Sequence, residues 1–186
     1  YDNIVDYILV KQGAKINAVG TPDKPIVMTS EKEEPGAWGG IHICGKAHTN
    51  AEGGKGSSEI GGAVYGGNDD ADNSGTLQYI RLEYTGFAFD EEHEANGISF
   101  YGVGNGTIVD HCEAYKGSDD GFEFFGGSVN VSNMVVVSCS DDSFDWTEGW
   151  NGKGTDLVAY QEAKATLGYD CDCLIEADNN ENDNAA

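Results

Sequence analysis

The sequence has few basic residues. Ten Lys and Arg stand against 33 Asp and Glu among 186 residues, which gives a formal charge of −23. Such a charge repels the phosphates of nucleic acids and attracts cations, so nucleic acid is excluded as an expected partner. No run approaches the roughly 18 consecutive apolar residues that a membrane-spanning helix requires, and we therefore expect no membrane span.

Proline and helix-forming runs are also scarce, with three Pro against 27 Gly, which favours strands and turns in one domain over residues 1–186. The histidines do not have the spacing of a metal site; they are His42, His48, His93 and His111. No Ser/His/Asp or Cys/His grouping predicts nucleophilic catalysis. Five Cys leave at least one unpaired, and Cys112 and Cys139 lie in apolar runs where a small buried side chain is expected.

One motif occurs twice, as DDGFEF at 119–124 and as DDSFDW at 141–146, with a separation of 22 residues. The alignment places Phe124 beside Trp146, and NGISF places Phe100 beside Phe124 at an interval of 24. Equivalent residues of successive coils form such apolar columns in a solenoid. A period of 22–24 residues with Gly and Asn at the corners predicts an all-β fold, the right-handed parallel β-helix, with Phe124 and Trp146 in contact.

The remaining segments fit the same architecture. Residues 7–30 predict two or three short strands and residues 38–45 another, whereas 46–75 is rich in Gly, Asp and Asn and predicts one long loop excursion. The run 156–165 has helical character, but a strand is due at that place in the coil. We expect the chain to be a piece of a longer protein, with further coils or a capping protein at its ends.

Several blocks together resemble a known family: GAKINAVGTPDKPIVMTSE, GAWGGIHICGKA, GSDDGFEFFGGSVN and SDDSFDWTEGWNGKG. The sequence resembles exported bacterial β-helix proteins, which are often lipoproteins or carry a cell-surface sorting tail. The resemblance implies a right-handed parallel β-helix located outside the cell or on its outer surface. It implies no particular reaction.

The repeated motif is also similar to that of the calcium-dependent pectate lyases, in which Asp-Asp-Gly-aromatic-Asp binds the ion. Two sets of three acids match this motif: Asp119, Asp120 and Glu123, then Asp141, Asp142 and Asp145. The resemblance also implies a base, commonly Lys, that takes a proton from the sugar. Lys153 and Lys164 are the nearby candidates, and neither lies in a matching motif.

Stacking of the two motifs puts like charges opposite each other, since Asp119, Asp120 and Glu123 each face an acid of the next coil. Such pairs are unfavourable without a compensating charge. A Ca²⁺ ion, which prefers six to eight oxygen ligands, is one solution, and Glu94 and Asn96 would extend its site. The alternative is that the corner Asp side chains accept hydrogen bonds from the turn backbone while the other acids are solvated.

Two further candidates are weaker. Asp70-x-Asp72-x-Ser74 begins like an EF-hand loop, but its twelfth position is Arg81 instead of Glu, and the alternative is a polar corner. Trp150 is either a stacking face for a sugar or part of the core.

We therefore expect a secreted or surface-exposed module, stabilised by calcium, that binds glycan or another macromolecule without catalysis. The alternatives are a polysaccharide lyase, which would use Ca²⁺ and a Lys base, and a structural spacer.

Overall fold

A computed structural model of the chain describes residues 5–90 and 93–180. Within these ranges the chain forms thirteen strands, one 3₁₀ turn at Glu52–Gly54 and one short helix, α1, at Lys164–Leu167. The strands are β1 (Ile8–Val10), β2 (Ile16–Val19), β3 (Ile26–Met28), β4 (Ile41–Cys44), β5 (Gly56–Ser57), β6 (Val64–Tyr65), β7 (Gly75–Glu83), β8 (Ile98–Tyr101), β9 (Ile108–Tyr115), β10 (Phe122–Phe125), β11 (Asn130–Val137), β12 (Phe144–Thr147) and β13 (Gly154–Tyr160).

The chain alternates between two parallel sheets. Sheet A has the order β1-β4-β8-β10-β12, and sheet B has the order β13-β11-β9-β7-β2, with β3 also paired to β7. Phe122 pairs with Phe144 on one side and with Ile98 on the other, which confirms the predicted register. The architecture is therefore a parallel β-helix.

A left-handed residue bends each long strand of sheet B at the same level. The bend residues are Tyr79, His111, Asn133 and Asp156, with φ between 52° and 55°. The buried positions of β7 change phase there, since Leu77 and Ile80 are both inward. Strict alternation stops at the bend, and the bend divides sheet B into two parts. Each coil therefore has three sides, which are sheet A and the two parts of sheet B.

Aromatic stacking runs along the inner side of sheet A. Phe100 stacks on Phe124 at 4.9 Å between ring centroids, and Trp150 stacks on the same Phe124 at 4.6 Å. Trp146 pairs with Phe124 in register, as predicted, but its ring lies beside Trp150, at 5.6 Å. The corner after β12 folds Trp150 back over the core, where its Nε1–H donates to the Val129 carbonyl at 3.1 Å.

Two predictions need correction. The period of 22–24 residues holds between β8, β10 and β12, but Gln78 pairs with Asp110, 32 residues later, because the connection between β7 and β8 adds a second loop. The run 156–165 is only partly strand. β13 ends at Tyr160, and α1 begins at Lys164. Cys112 and Cys139 are buried, as expected.

The segment 46–75 lies against the outer face of sheet A. Its Ala63 and Tyr65 pack with Cys44, Tyr101 and Phe125 in a second apolar cluster, and β5 pairs with β6 as an antiparallel ribbon. Residues of sheet A that point away from the main core therefore face protein instead of open solvent. This cover encloses the acidic site described below.

Apolar side chains of the last coil are exposed to solvent. Ile175 bridges to Phe144 as a partial sixth rung of sheet A, yet it is 53% exposed. Within the described ranges β13 pairs with β11 alone, and its Val158 and Tyr160 are 53% and 58% exposed. A strand with one free edge invites pairing with another chain.

We expect the isolated 186-residue chain to associate through this edge. Val158→Lys should increase the monomer fraction severalfold in size-exclusion chromatography with light scattering, because a charged side chain on an edge strand opposes pairing. Ile108→Lys is the matched control, since Ile108 is equally exposed, at 50%, but lies on a central strand. A monomeric wild type at micromolar concentration would contradict this prediction.

Candidate metal centre

The six acids of the repeated motif lie at one corner and along the outer face of sheet A. Asp119 and Asp120 precede β10, and their counterparts Asp141 and Asp142 precede β12. Glu123 and Asp145 pair directly across β10 and β12. The two-residue alternation of a strand turns both away from the core, because Phe122 and Phe124 point inward.

The corner aspartates link successive coils. The Asp142 backbone N–H donates to Asp120 Oδ1 at 2.8 Å, and the Cys173 N–H donates to Asp142 Oδ1 at 2.7 Å. These bonds resemble the structural alternative, except that each aspartate accepts from the next coil and not from its own turn. One oxygen of Asp120 and one of Asp142 are thereby used in holding the solenoid together.

The carboxylates form overlapping triads, in each of which one ligand atom per residue lies within 4.8 Å of the others. The triads are Asp119–Asp120–Asp141, Asp120–Glu123–Asp145, Asp142–Asp145–Glu176 and Asp142–Asp172–Cys173. All six predicted residues are thus brought together, but as a chain of triads instead of one six-membered group. Asp120, Asp142 and Asp145 each belong to two triads.

A cavity of about 180 Å³ adjoins two of these triads and shares Glu123, Asp145 and Glu176 with them. Its acidic lining comes from three parts of the chain: Glu59 of the excursion, Glu123, Asp145 and Glu148 of sheet A and its following corner, and Glu176 and Asp178 of the last rung. Tyr101 Oη donates to Glu59 at 3.1 Å, and Tyr65 Oη donates to Glu148 at 2.9 Å. Among the described residues that line this cavity, none is Lys or Arg.

Burial makes ionisation of these groups unfavourable. Desolvation, with the charges of Glu94 and Asp141, raises the pKa of Asp119 to about 8. Desolvation likewise raises the pKa of Asp145 to about 6 and holds the pKa of Glu123 well above its ordinary value. Asn96 Nδ2 donates to Glu123 Oε2 at 2.5 Å, which orients that carboxyl. Burial therefore favours the protonated forms of these groups in the absence of a cation.

The donor chemistry fits a hard divalent cation. Ca²⁺ binds oxygen at about 2.3–2.6 Å, so two oxygens on one ion lie up to about 5 Å apart, which accommodates the 4.8 Å limit of the triads. Asp120–Glu123–Asp145 supplies only carboxylates, all buried or half-buried. The Asp142–Asp172–Cys173 triad fits less well, because it includes a thiol and two exposed residues.

The EF-hand-like segment makes hydrogen bonds within the excursion. Asp70 Oδ1 accepts a hydrogen bond from the His48 backbone N–H at 3.1 Å and lies 2.8 Å from the His48 ring Nδ1. Asp72 accepts a hydrogen bond from the Lys46 N–H at 3.1 Å. Ser74 is buried. These contacts tie the start of the excursion to its end, as a polar corner would, and the triads found within the described residues include neither aspartate.

Lys153 and Trp150 lie on the corner after β12. The Lys153 carbonyl accepts the Val131 N–H at 2.8 Å, and the exposed Lys153 is not part of the cavity lining. Trp150 packs against the main core. One face of its indole is covered by Phe124.

Four acids that line the cavity were not predicted from the sequence: Glu59, Glu148, Glu176 and Asp178. Glu176 follows Ile175, which bridges to Phe144, so Glu176 lies beside Asp145. The recurring apolar-acid pairs Phe122-Glu123, Phe144-Asp145 and Ile175-Glu176 carry that signal. Glu59 had no comparable signal, because its position depends on how the excursion folds back.

The comparisons with known proteins agree with this fold. A family model described as a pectate-lyase-like β-helix domain matches residues 1–186. No curated protein and no solved structure matches the chain. None of the helices in the described ranges is long and apolar enough to cross a membrane.

Proposed function

Because the chain belongs to the pectate-lyase-like β-helix family, we propose that it is a secreted or cell-surface module that holds Ca²⁺ and binds glycan without cleaving it. The observation that carries the proposal is the cavity in which three separate parts of the chain bring carboxylates together. The proposed glycan ligand rests on the family, and the proposed calcium ion rests on the carboxylate oxygens of the site.

The pair Glu123 and Asp145 favours a calcium site over a purely structural role for the acids. Asp120 and Asp142 have a structural use, since each accepts a backbone N–H of the next coil. Glu123 and Asp145 lie side by side in a partly enclosed cavity, where two like charges are unfavourable. A cation between them removes that repulsion and satisfies their oxygens.

A location outside the cell is part of the proposal. Extracellular calcium modules function at dissociation constants of about 10⁻⁴–10⁻³ M, which suits a site with few ligands from any one segment. We also propose that the solenoid is right-handed, because parallel crossover connections have that hand in about 98% of cases.

Binding without catalysis is favoured over a lyase by the composition of the cavity. The lyase alternative uses a Lys base near the ion, and the described lining contains neither Lys nor Arg. Lys153, which the lyase alternative would use as its base, lies on an exposed corner. A spacer is disfavoured because the outer side of sheet A carries a cavity and a neighbouring cleft instead of a flat face.

A glycan array run in Ca²⁺ and in EDTA tests this function. We expect binding to at least one polysaccharide class in Ca²⁺ with at least a tenfold loss in EDTA, and no unsaturated sugar products by ultraviolet absorbance. Product formation that Lys153→Ala abolishes would establish the lyase instead. Absence of any glycan binding, with Ca²⁺ present, would contradict the proposed function.

A further inference from the structure

A second cleft lies next to the acidic cavity. It has a volume of about 240 Å³ and is lined by Tyr7, Glu59, Ile60, Gly61, Phe89 and His93. Three parts of the chain meet there: the segment leading into β1, the excursion, and the loop between β7 and β8. Glu59 lines both the cleft and the acidic cavity, so the two spaces adjoin.

Two aromatic rings of this cleft are exposed, and each contacts a neighbouring ring. Tyr7 is 38% exposed and Phe89 is 50% exposed. The Tyr7 ring meets His42 edge-on at 6.0 Å, and Phe89 meets Phe87 edge-on at 5.0 Å. Large exposed apolar groups grouped in a concavity are typical of ligand-binding sites.

The polar groups of the cleft lie around these rings. Glu59 is oriented by the Tyr101 hydroxyl, which donates to its Oε2 at 3.1 Å. His93 is paired with Asp90 at 2.6 Å. Gly61 has a φ of +79°, and a Cβ there would lie 2.8 Å from Leu9 Cδ2 and 3.2 Å from the Tyr7 hydroxyl. A side chain at position 61 would therefore clash with Leu9 and crowd the Tyr7 hydroxyl.

Charge and size restrict the ligand. Glu59 and the Asp90–His93 pair lie at the cleft. Besides desolvation, the charge of Glu59 also raises the pKa of Glu123 in the adjoining acidic cavity. An anionic ligand would be repelled there. The volume of about 240 Å³ is below the roughly 300 Å³ at which pockets for drug-sized ligands begin, which suits a single ring.

We propose that this cleft binds one uncharged pyranose ring of a polysaccharide. Tyr7 and Phe89 offer their faces to the C–H groups of the sugar, as aromatic side chains with an apolar body can. Glu59 accepts a hydroxyl of the same ring, and the Tyr7 hydroxyl and His93 supply further polar contacts. The inference rests on the proposed glycan-binding function and names a neutral sugar subsite within it.

Calorimetric titration with neutral hexose oligosaccharides, of gluco, manno and galacto configuration, tests the subsite. We expect Phe89→Ala and Tyr7→Ala each to weaken binding of the recognised sugar at least tenfold, and Phe89→Trp to retain it. Tyr160→Ala is the matched control and should leave affinity unchanged, because Tyr160 is more exposed, at 58%, but lies on β13 of sheet B. Circular dichroism should be the same for all four variants.

The outcomes separate the subsite from the function on which it rests. If the wild type binds a glycan and Phe89→Ala and Tyr7→Ala bind it equally well, the subsite is wrong and the proposed function stands. Two other results would also show that the subsite is wrong. One is binding of oligogalacturonate, an anionic sugar, without binding of neutral sugars. The other is binding of tetramethylammonium, a cation, in the cleft without binding of neutral sugars. If no glycan binds at all, both fail.

Discussion

Ca²⁺ at a hundredfold excess over its dissociation constant should raise the melting temperature of the protein by about 5–10 °C, and Glu123→Gln combined with Asp145→Asn should remove that rise. A ligand that binds only the folded state at a hundredfold excess over its dissociation constant stabilises it by about 2.7 kcal/mol. For a domain of this length, one kcal/mol shifts the melting temperature by about 2–4 °C. Differential scanning calorimetry in Ca²⁺ and in EDTA measures the effect.

The choice of residues follows from their contacts. Glu123 and Asp145 pair across β10 and β12 in the cavity, whereas Asp120 and Asp142 also accept backbone N–H groups of the next coil. Neutralising the first pair therefore tests cation binding with less disturbance of the coil-to-coil bonds. Glu113→Gln is the control, because it makes the same change at a half-buried position of sheet B.

The result in EDTA separates the two explanations of the acids. A binding site predicts that the double variant equals or exceeds the wild type in EDTA, because it no longer carries the cost of two neighbouring ionisable carboxyls in a partly buried site. A structural role predicts that the variant is less stable at every calcium concentration and that calcium does not move the wild-type curve. The second pattern would contradict the cation site.

Stability without calcium should fall as the pH rises from 5 to 8. The folded-state pKa values of Asp119 and Asp145 are raised by burial to about 8 and about 6, above the ordinary value near 4. Such groups contribute stability that is complete below the unfolded pKa and is lost as the pH passes through the folded pKa. We expect a loss of a few kcal/mol across this window, at about 1.4 kcal/mol per unit of pKa difference.

Calcium should reverse this trend, because an ion binds the deprotonated carboxylates and displaces their protons. The calcium increment in melting temperature should therefore grow between pH 5 and pH 8, while the EDTA curve declines. Urea titrations at four pH values in each condition provide the measurement. A chelated protein that becomes more stable between pH 5 and pH 8 would show that these carboxyls are not protonated in the fold.

The solenoid could be predicted because a repeat in the sequence is a repeat in space. Phe122, Phe144 and their neighbours fix the register of β10 and β12, and the two-residue alternation places Glu123 beside Asp145. The same rule extends to Glu176 through the bridge of Ile175 to Phe144. These features depend only on the local alternation and on the coil length.

The cover of the site could not be predicted in this way. Glu59, Tyr65 and the rest of the excursion reach sheet A through tertiary packing against Tyr101 and Phe125, which leaves no periodic trace in the sequence. The sequence indicates which residues of sheet A face away from the core, but not that the excursion covers them. Trp150 was ambiguous for a related reason, because a corner residue can fold inward or outward without changing the repeat.

Anomalous diffraction from crystals grown with a lanthanide in place of Ca²⁺ tests the cation site most directly. The structure predicts a peak bounded by carboxylate oxygens of Asp120, Glu123 and Asp145, which lie within 4.8 Å of one another, and no peak there in crystals of Glu123→Gln combined with Asp145→Asn. Absence of a peak at this triad in the wild type, or a peak confined to Asp142, Asp172 and Cys173, would contradict the account.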